Sequence, residues 1–213
     1  MSSIEYRFLI ECLLCTIDSH PEKPMPRNLP AWAQVDRSLP AGEYPYLKVL
    51  PAVRFSPALA RIAALPAARD RLLEEARVQI RGDRGYAFVD VDVPCIVVSE
   101  SYFRNGTDRD LYLDLLHELT HLRQLDDGLD LWDERFAYVD RPTEIEGYAV
   151  AIEEGRRLGM TSDDVSDHLA APWMTADDTA RLLAHVDGFL ATGVLPNLAA
   201  ARIPAPRRPR RPW

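Results

Sequence analysis

His117-Glu118-Leu119-Thr120-His121 constrains this chain more than any other stretch, because its two histidines can act together only if the backbone there is helical. A helix turns about 100° per residue, so side chains four apart stand on one face, a turn from each other, and both imidazoles can reach one point. Local signals favour that helix. Thr107 with Asp110 three residues on makes an N-terminal cap, no proline interrupts the run, and Asp126-Asp127-Gly128 supplies the stop. Leu111, Leu115, Leu119 and Leu122 line one apolar stripe, with Asp110, Asp114, His117, His121 and Gln124 on a separate polar face. On this reading the histidines do not lie on the buried side.

Two imidazoles at this spacing suit a divalent cation, zinc first, and Glu118 stands beside their line, able to take a proton from water without being a ligand. Two solvated surface histidines are the alternative. A catalytic zinc takes three protein ligands and keeps one position for water, so a carboxylate must come from elsewhere. Arg141-Pro142-Thr143-Glu144-Ile145-Glu146-Gly147-Tyr148-Ala149, at the start of the next long helix, offers two. Gly147, Ala149 and Ala151 let that helix pack close against the histidine helix. Thr143 and Glu146 also read as a capping box, in which Glu146 would turn back to the backbone.

Between Asp114 and Glu154 the chain resembles the gluzincin metallopeptidases, closest to their short, minimal members, in which His-Glu-x-x-His is followed some tens of residues later by a Glu near the start of another helix. The resemblance implies that His117 and His121 are metal ligands, that Glu118 is the general base, and that Glu146, followed by Gly147, is the third ligand ahead of its rival Glu144. It departs at Val150, where the thermolysin-like branch carries an acidic residue that orients a ligand histidine; Asp114, one turn before His117, is the substitute on offer. The expected activity is zinc-dependent hydrolysis of a peptide or small amide, with Tyr148, His168 and His185 as candidates for stabilising the oxyanion. Two other classes stay open: a non-haem iron oxygenase built on two histidines and one carboxylate, and a non-catalytic binding or regulatory protein stabilised by its metal.

The expected fold is α+β, a mostly helical single domain over residues 1–202 with a small antiparallel sheet packed beside the histidine helix, followed by a Pro/Arg-rich tail over 203–213. Ser3 to Asp18 has helical periodicity, and its Cys12 and Cys15 read as core packing. The proline-rich stretch from Pro21 to Pro51 reads as irregular. Helices are expected over Ser56–Leu65, Ala67–Val78, Asp140–Gly159 and from Thr175 to about Thr192, the last with Leu182, Val186 and Phe189 inward. Gln79–Ile80 and Tyr86–Val91 read as a hairpin across Gly82 to Gly85, and Cys95–Ser99 as a further strand whose edge either runs past the metal, where it could accept an extended peptide, or is an ordinary covered edge.

The formal charge is −8, and −13 once Arg202, Arg207, Arg208, Arg210 and Arg211 are set aside, which argues against nucleic acid as a partner. The acidic loop from Asp126 to Glu134 lacks calcium-loop spacing and reads as solvated. Three cysteines are too few and odd in number for a secreted disulfide framework, and no segment reads as a signal peptide or membrane span, so a cytoplasmic setting is expected. Oligomeric state has no signature in the sequence.

Overall fold

The computed structural model describes residues 29–82 and 85–198. The expected amino-terminal helix, the Cys12/Cys15 pair and the arginine-rich tail lie outside the described residues. Within them the fold is α+β. The strands are β1 (Gly42–Pro45), β2 (Arg77–Ile80), β3 (Ala87–Asp90) and β4 (Cys95–Val98). The helices are α1 (Tyr46–Val49), α2 (Leu59–Ile62), α3 (Pro66–Glu75), α4 (Glu100–Asn105), α5 (Asp108–Asp126), α6 (Pro142–Arg157), α7 (Ser162–Leu169) and α8 (Ala176–Thr192).

The sheet is mixed rather than antiparallel, with order β1-β2-β4-β3. β2 runs parallel to β4, with Val78 opposite Ile96, and is antiparallel to β1. The expected β2–β3 hairpin therefore does not form; β3 instead pairs antiparallel with β4, Ala87 opposite Val98 and Asp90 opposite Cys95. The reason is burial. All four residues of β4 are apolar and buried, so it takes a central place with neighbours on both sides, whereas β3 buries only Val89 and goes to the edge. A short turn joins them, where Asp90 Oδ1 accepts from the Asp92 N–H at 3.1 Å. Val78 belongs to β2 rather than to the preceding helix, and β1 sits inside the stretch read as irregular, ending at Pro45 on the sheet's edge, where a missing N–H is tolerated.

α5 starts and stops where its sequence says. Thr107 Oγ1 accepts from the Asp110 N–H at 3.0 Å, and the helix ends in a Schellman turn at Gly128 (φ +77°), with Leu129 N–H on the Gln124 carbonyl and Gly128 N–H on that of Leu125. Its environment differs from the amphipathic expectation: not only Leu111, Leu115 and Leu119 but also His117, His121 and Gln124 are buried. The cause is α6, which covers the polar face that the leucine stripe left over. α8 then packs on α6 with Leu182, Val186 and Phe189 inward, capped by the reciprocal pair Thr175 and Asp178. A similar pair, Thr161 and Asp164, starts α7, a helix the sequence reading passed over.

Among the described residues, no helix is long and apolar enough to cross a membrane.

Candidate metal centre

α5 and α6 each bring their ligand-type side chains to the same buried point. His117 Nε2 and His121 Nε2 lie 2.8 Å apart, and Glu144 Oε2 is 3.4 Å from the first and 3.6 Å from the second. His117, His121 and Glu144 are only 6%, 5% and 6% exposed. Among the described residues they form one group whose ligand atoms all lie within 4.8 Å of one another.

The third carboxylate is Glu144, and the preference for Glu146 is corrected. Two positions along a helix is a rotation of about 200°, so the two cannot face the same point. Glu144 turns to the imidazoles, while Glu146 Oε2 meets Arg123 Nη2 at 2.5 Å and accepts from Gln124 Nε2 at 2.8 Å. Nor does Glu146 cap its helix, because α6 begins at Pro142 with Arg141 in the capping position, which leaves Thr143 inside the first turn. Glu144 in that first turn also sits where a helix favours negative charge.

Gly147 explains how the rings fit. A Cβ built there would lie 2.9 Å from His117 Cε1 and 3.0 Å from its Nδ1, so any larger residue would push the imidazole aside. His117 also packs against Tyr148 in a T-shaped contact, ring centroids 4.4 Å apart. Tyr148 shares a 2.9 Å hydroxyl–hydroxyl hydrogen bond with Tyr138, from the turn before α6, and Tyr138 packs edge-on against Trp173. Tyr148 is thus at the site. His168 instead faces Asp114, with Nε2 3.6 Å from Oδ1, and His185 faces Asp140 at 3.1 Å. Asp114 accepts from the Tyr102 hydroxyl, so its partners are Tyr102 and His168.

The electrostatics divide the site into two parts. Burial works against charge on both His121 and Glu144, but each outweighs it for the other: Glu144 holds the His121 ring above the usual histidine range, and the imidazoles hold Glu144 below the usual carboxylate range. His117, by contrast, is lowered by burial and by the neighbouring His121 charge. Glu118, 7% exposed, goes the other way: burial pushes its carboxyl up to about 8 against the opposing pull of the His121 charge, and its Oε2 makes no hydrogen bond.

These residues fit a divalent cation. Two ring nitrogens and a carboxylate oxygen face one another, and a divalent cation in place of the His121 proton would satisfy all three. Ligand atoms on a tetrahedral zinc stand about 3.3 Å apart, close to the 3.4 and 3.6 Å found here; the histidine pair at 2.8 Å needs only to open slightly. The acidic loop is no part of this centre. Asp126 pairs with Arg71, Asp127 with Arg123 and buried Asp133 with Arg135, while Asp130 caps the Trp132 N–H.

Sequence reasoning singled out His117, Glu118, His121 and both glutamates, but treated Gln124 as one more polar-face residue. Its spacing of three from His121 was the available signal. Comparison with protein-family models, with curated proteins and with solved structures found no match.

Proposed function

We propose that this chain is a zinc-dependent hydrolase of peptide or small amide bonds, with His117, His121 and Glu144 as the metal ligands and Glu118 as general base. The observation that carries the reading is a buried His/His/Glu triad with a buried carboxylate beside His117, that of Glu118, whose Oε2 makes no hydrogen bond. A zinc ion held there supplies Lewis acidity and lowers the pKa of water towards neutrality. Glu118 takes the proton that water gives up as its oxygen adds to the scissile carbonyl carbon. It then passes that proton to the leaving nitrogen as the C–N bond breaks. A carboxyl raised by burial is suited to both halves of this task, since a nearby divalent cation draws it down towards working pH. β3, the edge strand packed against α5, offers main-chain groups to an extended substrate; β4, first expected in that role, lies inside the sheet.

The triad's donor set also suits iron, but a spare carboxylate beside it favours hydrolysis over oxygen chemistry, which needs no such base. A cytoplasmic setting is proposed from the sparse, odd cysteine count, in keeping with Cys95 being a free buried thiol. The test is elemental analysis of protein purified without added metal, combined with turnover of a fluorogenic peptide mixture. About one zinc per chain is expected, and Glu118→Gln should keep that zinc while turnover drops by about 10²- to 10⁴-fold. Full turnover by Glu118→Gln would end the mechanism, and oxygen consumption with iron in place of zinc would replace it.

A further inference from the structure

We propose that Gln124 is a positioning residue that fixes the tautomer of His121, presenting its Nε2 lone pair to the site, and that Glu146 and the Thr143 carbonyl fix Gln124 in turn. The inference rests on the metal reading of the triad and adds the residues that would orient one of its ligands.

The argument is one of donors and acceptors. A glutamine amide offers two N–H donors at one end and an acceptor at the other, and shape alone does not say which end is which. Here one end lies 3.0 Å from the Thr143 carbonyl and 2.8 Å from Glu146 Oε2. A carbonyl and an arginine-paired carboxylate both accept, so that end is Nε2. Oε1 therefore faces His121 Nδ1, at 2.7 Å. A carbonyl oxygen only accepts, which obliges Nδ1 to carry a proton. When the ring is neutral, as a metal ligand must be, its lone pair is therefore on Nε2, the atom turned towards His117 and Glu144.

Burial makes the device rigid. Gln124 is 0% exposed, so no solvent molecule substitutes for a lost partner. Arg123, the preceding residue on α5, holds Glu146 from the other side. The carboxylate favoured as a ligand from the sequence thus acts two hydrogen bonds away from the triad, through an amide.

Zinc affinity by competition with a chromophoric chelator, and ¹⁵N NMR of the His121 ring in zinc-loaded protein, test this together. Gln124→Leu should weaken zinc binding about 10- to 100-fold, the range expected on losing an orienting partner. Gln124→Glu should weaken it as well, because a carboxylate there faces two acceptors. Adding Glu146→Gln to that variant restores a donor–acceptor pair in reversed order and should recover most of the affinity, which a purely structural role would not do. Glu146→Gln alone should keep one zinc per chain. In the zinc-loaded wild type, the His121 Nδ1 proton held by Gln124 should be slow to exchange with water, and in Gln124→Leu it should exchange freely. Wild-type affinity in Gln124→Leu, an unprotonated Nδ1, or no recovery in the double variant overturns the inference while leaving the triad intact. Wild-type protein that takes up no zinc instead overturns the reading of the site itself.

Discussion

Glu144 and Glu154 are both buried carboxylates on α6, ten residues apart, and their surroundings are opposite. Glu154, 1% exposed, is saturated with donors: Trp32 Nε1 and the Tyr112 hydroxyl reach Oε1 at 3.1 Å each, and Arg157 Nε reaches Oε2 at 2.8 Å. Tyr112 is tied on to Ser56 at 2.7 Å. That arrangement closes a buried charge within the protein and links the segment before β1, α5 and α6. Glu144 instead faces two imidazole nitrogens, with Glu118, whose Oε2 makes no hydrogen bond, on the same helix as those rings. The Glu154 carboxylate is closed off by fixed N–H and O–H donors, whereas Glu144 is balanced by imidazoles whose proton a cation could replace.

The contrast can be broken most decisively with zinc itself. At a thousand times its dissociation constant, zinc should stabilise the wild type by about 4 kcal/mol. In thermal unfolding Glu144→Gln should lose that shift and Glu154→Ala should keep it; equal shifts in both would erase the distinction between the two ends. Next in size, Glu154→Ala should lower the stability of the metal-free chain by about 3 kcal/mol, since it strands a tryptophan and a tyrosine donor in the core. Urea unfolding measures this, and a loss below 1 kcal/mol would mean that the donors find other partners. Gly147→Ala should cost about 1–3 kcal/mol of overpacking and weaken zinc uptake, because the new methyl meets the His117 ring; a zinc titration showing wild-type affinity would mean the ring has room to move.

The smallest effect sharpens the comparison from outside. Glu153, beside Glu154 on α6, is partly exposed and pairs with Arg61, whose hydrogen bonds hold its carboxyl below the usual range despite some opposing burial. Because the folded-state value is depressed, its contribution is present above the ordinary carboxylate range and disappears as pH falls through the lowered value. With solvent screening it should be worth less than about 1 kcal/mol. Unfolding of the wild type and Arg61→Ala between pH 7 and 3 should show a gap that closes on acidification, and a constant gap would assign Arg61 to packing alone.

Where interactions were local, the sequence was legible. Thr107 and Thr175 bond to backbone groups three residues away, and Gly128 and Gly159 end helices by their own positive φ, so these boundaries were readable without any tertiary knowledge. The sheet was misread because pairing partners are chosen by burial. β4 displaces β3 from β2 through its four apolar side chains, which no turn signal between Gly82 and Gly85 reveals. The same limit hid Gln124, whose partners Thr143 and Glu146 come from another helix.

The sequence by itself determined that two histidines share a helix face with a glutamate beside them, because a four-residue spacing and a capped helix suffice for that. Only the tertiary structure decided that this face is buried, that Glu144 closes the triad and that Glu146 serves Gln124 instead. Those outcomes depend on how α6 is rotated about its own axis against α5, and that rotation is set by packing across the whole interface, including the missing side chain of Gly147.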